Sequence, residues 1–157
     1  MLEKSLLMND ISDMLLDCEL FRDFPQAELT AVARYFSVSK IEADGVIFEE
    51  GDIGQFMAIV NTGKVAILKA NQDDQNVHLA TLARGRSFGE MAVLDGERRS
   101  ATCMAESECI LLTLSKESLD KMLIETPRTG ARVIRAVAVA LSRRLRMADG
   151  KLVDHQI

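Results

Sequence analysis

In the stretch FGEMAVLDGERRSAT, residues 88–102, a single early carboxylate, Glu90, precedes a guanidinium, Arg99, by nine positions. Small residues, Gly89 and Ala92, stand on either side of Glu90, and Asp95-Gly96 supplies a turn that returns Arg98 and Arg99 towards it. The segment between is too short for a structural helix and reads as one or two helical turns. The leading N–H groups of such a turn, around Gly89, Met91 and Ala92, lack internal partners and favour an anion. Gly89 has no Cβ to keep a ligand from the backbone. Arg99 can add a planar, two-pronged donor to two oxygens of a phosphate. A carboxylate beside that anion repels it, unless the carboxylate accepts a hydroxyl elsewhere on the same ligand. A sugar phosphate meets both demands. The same two side chains also suit a structural ion pair, and Arg98 suits a loop brace.

Such a grip needs a scaffold, and the pattern around it is β-rich. VSKIEADGVIFEE holds two strand-like runs about Asp44-Gly45, a hairpin signal, and FMAIVNTGKVAILKA repeats it about Asn61-Thr62-Gly63. NVHLATLA and RSATCMAESECILLTLS add further short strands. About eight strands with no helices between them predict an antiparallel roll. Helices bracket it. Residues 2–18 carry Leu7, Ile11, Met14, Leu15 and Cys18 at helical spacing, and a second helix is expected over 26–35, behind Pro25. Ser115 is placed to cap a helix, and Pro127 to start another running to about Met147. The fold class is α+β, mainly β: a jelly-roll-like, eight-stranded antiparallel roll. A single domain over 1–157 is expected, with N-terminal helices in 1–36, the roll in 37–114 and C-terminal helices in 115–148.

Composition narrows the function. Of 157 residues, 48% are hydrophobic and two are proline, so the chain is expected to fold as a globule without a disordered linker. Three cysteines at unrelated spacings and two distant histidines speak against disulfide and zinc frameworks and fit a reducing cytoplasm. No metal site is expected. The acidic, leucine-rich start is no signal peptide, and no apolar run reaches the ~20 residues of a membrane span. From Thr126 onward, seven Lys and Arg face two Asp, giving +5, so a net charge of −5 leaves −10 on the preceding residues. Most of the surface repels nucleic acid.

The 88–102 stretch resembles the phosphate-binding cassette of the cyclic nucleotide-binding domain family, found in protein kinase A regulatory subunits, cyclic nucleotide-gated channels and catabolite activators. Phe88, Gly89, Glu90, Ala92, Arg99, Ser100 and Ala101 match its pattern in register. FEEGDIGQFMAIVNTGKVAIL matches the preceding family segment through Gly51, Asp52, Gly54, Ile59, Gly63 and Val65. The resemblance implies that Glu90, with Gly89, takes the ribose 2′-hydroxyl. It implies that Arg99 pairs with the cyclic phosphate, assisted by Ser100 and the amides of Gly89, Met91 and Ala92. Leu82 matches a position that packs on the base, with Ala80 and Val65 as further candidates for that wall. C-terminal helices that close over the base would bring Val139, Ala140 and Arg143 as lid residues.

On a helix from Pro127, Arg128, Arg132, Arg135, Arg143 and Arg146 fall within about 80° of arc. Ile134, Val137, Ala138, Leu141 and Leu145 lie roughly opposite, an apolar stripe for the roll or for a twofold copy. LSRRLRMAD resembles the dimer helix of catabolite activators, so a homodimer is expected. KLVDHQI leaves no room for a helix-turn-helix, so direct DNA binding is not. The functional expectation is a non-enzymatic sensor of a cyclic mononucleotide, cyclic AMP rather than cyclic GMP, which relays occupancy to an effector protein. Two alternatives stand beside it: a ligand-free dimerisation or docking module, and a sensor for a cyclic dinucleotide. No catalytic constellation, cofactor motif or P-loop is recognisable.

Overall fold

The computed structural model of the chain describes residues 10–156, with side-chain surroundings through residue 150. Residues 10–16 are helical and bury Ile11 and Leu15. The remainder of the expected first helix, Leu7 included, lies outside the described residues. After a 3-10 turn at Glu19–Phe21 comes α1, Gln26–Ala33. Pro25 stands directly ahead of it, and its carbonyl accepts the N–H groups of Glu28 and Leu29. Its missing N–H costs nothing, because N–H groups at a helix start have no partner within the helix.

Eight strands follow: β1 Ser37–Ile41, β2 Val46–Phe48, β3 Phe56–Thr62, β4 Val65–Ala70, β5 Asn76–Leu82, β6 Ser87–Phe88, β7 Thr102–Ala105 and β8 Cys109–Ser115. They form two four-stranded antiparallel sheets, ordered β1-β8-β3-β6 and β2-β7-β4-β5. The expected mainly β, eight-stranded roll is present, but two expected hairpins are not. The chain reverses at Asp44-Gly45, with Asp44 at φ 67, yet β1 pairs with β8 and β2 with β7. Asn61-Thr62-Gly63 likewise carries the chain from β3 in one sheet to β4 in the other. Both turns are corners of the sandwich. A short glycine turn reverses the backbone; burial of each strand's apolar side selects its partner. The hairpin that does form joins β4 to β5. There the Asn71 side-chain carbonyl accepts the N–H groups of Asp73 and Gln75.

Alternation along β3 sets the layers. Met57 and Ile59 point into a core shared with the helices, whereas Ala58 and Val60 point between the sheets. β8 divides in the same way, Leu112 and Leu114 to the helices and Cys109 and Leu111 to the inter-sheet core. With both faces covered, β3 has no polar side, which is why FMAIV reads as one apolar run. The other sheet has a solvent face, and the first half of β5 is exposed.

Between β6 and β7 stands the five-residue α2, Met91–Asp95. After β8, Ser115 Oγ accepts the Ser118 N–H at 2.9 Å and opens α3, Lys116–Glu125. Then α4 runs for 30 residues, Pro127–Gln156, past the expected end near Met147. Beyond Met147 the helix carries one glycine, Gly150, and a single helical glycine costs about 1 kcal/mol. Val133 and Val137 of α4 are fully buried, Ile134 and Leu141 pack at the edge of that core, and Arg132 pairs with Glu28 of α1. Among the described residues, no helix is long and apolar enough to cross a membrane.

Candidate ligand-binding site at the cassette

The segment from β6 to β7 folds tightly around α2. Gly96 closes the helix in the left-handed conformation, φ 68, and its N–H returns to the Ala92 carbonyl. Gly54 lets the loop before β3 lie against α2. A Cβ there would stand 2.5 Å from Ala92 Cβ and 2.8 Å from the Glu97 carbonyl, closer than atoms approach. Gly89 has φ +73, and a Cβ on it would stand 2.6 Å from Arg99 Nη1. Glycine here serves both the backbone turn and the close approach of the guanidinium.

Arg99 is 6% exposed. Its Nη2 donates to the Phe56 carbonyl at 2.6 Å and its Nη1 to the Gly89 carbonyl at 3.3 Å. The guanidinium carbon lies 3.8 Å from the centroid of the Phe48 ring and 4.8 Å from that of Phe56. Its Nε is buried with no hydrogen-bond partner among the described residues. Burial lowers its pKa, while Cys103 and Asp52 act in the opposite sense. Arg98, by contrast, is exposed and donates from Nη1 to the Gly51 carbonyl at 2.9 Å, a brace for the loop.

Glu90 is 2% exposed and forms its ion pair with Arg144, not with Arg99. Arg144 Nη1 donates to Glu90 Oε2 at 2.8 Å, and its Nη2 donates to the Ser87 carbonyl at 2.7 Å. The other carboxylate oxygen, Oε1, is buried and has no partner among the described residues. The plain ion pair that residues 90 and 99 could have made is therefore not formed. Each keeps one unmet polar atom, and leaving such an atom buried costs about 1–3 kcal/mol.

Both residues line one cavity of about 680 Å³. Gly89, Met91, Ala92 and Ser100 line it too. The Ala92 N–H, however, already donates to the Gly89 carbonyl at 3.2 Å. Lys69 Nζ donates to the Ser100 carbonyl at 2.7 Å and fixes the far limb of the cassette. The structure does not bring the other sequence candidates to this wall. Val65 and Leu82 face each other in the inter-sheet core, and Ala80 pairs with Ile67. Of these it is Ile67 that reaches the cavity, with Phe48 and Cys103. Val139, Ala140 and Arg143 line a separate groove of about 540 Å³ beside Leu20 and Phe24, on another side of α4. The α4 residues at the cassette cavity are Leu141, Arg144 and Leu145. Arg143 and Arg144 differ by 100° on a helix, and Arg144 lines both hollows whereas Arg143 lines only the groove. Burial pushes the Cys103 thiol up to about 12, which leaves it a poor nucleophile.

Residues 38–126 match the model of the cyclic nucleotide-binding domain. The chain is 34% identical over 133 residues to the cyclic AMP receptor protein of Thermus thermophilus, a match that covers 85% of this chain and 60% of that protein. Among solved structures, a cyclic nucleotide-binding domain from Methylobacillus flagellatus superposes with a TM-score of 0.82 at 25% identity, covering 98% of this chain and 86% of the other. The Thermus thermophilus catabolite activator protein superposes with a TM-score of 0.78 at 33% identity, covering 87% of this chain and 62% of that one. The chain belongs to the cyclic nucleotide-binding domain family, whose fold serves regulation and sensing. It spans less than two thirds of the receptor and activator proteins it matches.

Proposed function

We propose that the chain is a sensor of a cyclic mononucleotide, with cyclic AMP preferred over cyclic GMP, and that it passes occupancy to an effector protein through α4. The observation that carries this reading is that Glu90 and Arg99 line one cavity and that each keeps one buried, unmet polar atom, Glu90 Oε1 and Arg99 Nε. An acceptor and a cationic donor, both dry, suit a ligand that offers a hydroxyl and a singly charged phosphodiester. Glu90 accepts the ribose 2′-hydroxyl. Arg99 and Ser100 take the phosphate, with amides from the Gly89–Met91 turn. Ile67, Phe48 and Cys103 supply an apolar surface on the sheet side, and Leu141 and Leu145 supply one from α4. The resemblance to a cyclic AMP receptor favours adenine.

Relay follows from the contact between Arg144 and Glu90, which ties the helix to the ribose site. A ligand hydroxyl that reaches Glu90 changes what Arg144 can hold, and only a contact that differs between states shifts a population. The inner part of the apolar α4 stripe packs on the chain's own core, so two copies associate as a homodimer through its exposed end, at Leu145. Three buried free thiols fit a reducing, cytoplasmic setting. Burial keeps the Cys103 thiol of the cavity wall protonated, and the site is assigned to binding rather than to catalysis.

Thermal unfolding with cyclic AMP, cyclic GMP and a cyclic dinucleotide tests the proposal. Ligand at ~100 times its dissociation constant stabilises the fold by ~2.7 kcal/mol. Cyclic AMP is expected to raise the melting temperature most, and Arg99→Ala to abolish the rise while the ligand-free protein stays folded. A flat response to all three would favour the docking module.

A further inference from the structure

Phe48 carries an inference that rests on the sensor reading and deepens it. We propose that Phe48 is the positioning residue of the phosphate grip: its ring face, in the place of a counter-carboxylate, holds the Arg99 guanidinium ready for the ligand.

A guanidinium that is 6% exposed must have its charge met by something other than water. Arg99 makes no ion pair among the described residues, and the two groups that accept from it are neutral carbonyls. Asp52 favours the charge only from beyond ion-pair distance, and what lies against the guanidinium is aromatic. Phe48 covers the guanidinium at 3.8 Å, with Phe56 second at 4.8 Å. Phe48 is itself held, nearly edge-on to Phe56 at 6.0 Å and 71°, and tilted against Phe88 at 5.9 Å. Its ring therefore has little freedom to leave the cation.

The chemistry of the two kinds of partner differs. A carboxylate takes the in-plane N–H groups and neutralises the charge, so a phosphate must compete for both. A ring attracts the cation from above the plane and leaves the edge donors alone. With Nη1 and Nη2 each anchored on a carbonyl, the plane is fixed while Nε stays unmet, and the positive charge is still there for a phosphodiester. Gly89 completes the arrangement, because any side chain there would push Nη1 out of the stack.

The test grades the ring's electron density while keeping its shape. Position 48 of the full chain is occupied in turn by phenylalanine, 4-fluorophenylalanine and 3,4,5-trifluorophenylalanine, and the cyclic AMP dissociation constant is measured by calorimetry. Affinity is expected to fall stepwise, by roughly tenfold at the trifluoro ring. Phe48→Tyr should bind as the natural protein does, and Phe48→Leu more weakly than either fluorinated protein. In the ligand-free protein, the NMR signal of the Arg99 Nε–H should carry a ring-current shift that Phe48→Leu removes. Tight binding by the natural protein with no trend along the series overturns the role of Phe48 alone, as does an Arg99 signal indifferent to Phe48→Leu. A natural protein that binds no cyclic nucleotide overturns the sensor reading and this role together.

Discussion

Arg144, 54 residues beyond Glu90, donates to that buried carboxylate at 2.8 Å and to the neighbouring Ser87 carbonyl at 2.7 Å. The pair is asymmetric: the carboxylate is 2% exposed and the guanidinium side chain 41%. Removing the cation strands a charge in the interior, whereas removing the charge frees a cation that water can reach. Arg144→Ala should therefore cost about 1–3 kcal/mol, at the low end for a buried pair because half of it is wet. Glu90→Gln in the same chain should restore most of it. Urea unfolding of the single and double variants measures the coupling, and additive losses would mean that the two side chains do not interact.

Gly89→Ala tests the close approach beneath the guanidinium. The alanine would hold φ +73, a region that costs a non-glycine residue roughly 1–2 kcal/mol, and its Cβ would stand 2.6 Å from Arg99 Nη1. Stability is expected to fall by about that amount, while nucleotide affinity falls further because the guanidinium must move. Equal binding by the variant would show that the position of Arg99 does not matter to the ligand.

The thiols predict an alkaline limit. Burial raises Cys18 to about 11 and Cys103 to about 12, from an ordinary 9.0. Well below pH 9 both thiols are neutral whether the chain is folded or not. Above it the unfolded chain releases protons that the folded chain keeps, so stability falls with rising pH until the folded groups ionise as well. Thiolate ultraviolet absorbance should rise near pH 9 in denaturant, and in the native protein the share from Cys18 and Cys103 should appear only towards pH 11–12. Coincident titrations would contradict the burial of these side chains.

Leu145 probes the proposed dimer. It is 64% exposed, so Leu145→Glu should leave the fold intact and still disrupt association through the α4 stripe. Leu141 is a poorer probe because it packs against the helical core. Sedimentation should give the mass of two chains for the natural protein and of one for the variant; an unaltered mass places the interface elsewhere.

The cassette was legible because its parts are contiguous. Glu90, Arg99 and the Asp95-Gly96 turn lie within fifteen residues, and local geometry decides where they point. Arg144 was not legible, since its contact spans the roll and one residue of helix register separates it from Arg143. The signal that could have found it is electrostatic: a carboxylate destined for burial needs a cation, and the basic run of α4 is where one is available. Phe48 was invisible for a different reason. An aromatic residue ending a short strand has the same pattern whether it fills a core or faces a cation. The corners at Asp44-Gly45 and Asn61–Gly63 show the same limit, because a turn signal does not name the strand that the chain will meet next.

The length of α4 has a mechanical consequence. At 1.5 Å per residue, about 18 Å of helix lies between Arg144 and Gln156. A stiff rod pivoting by 10° at its fastening on Glu90 would swing its far tip sideways by roughly 3 Å. The exchange of one hydrogen bond at the proposed sugar site would thus be magnified, by leverage alone, into a displacement as wide as an atom at the far end.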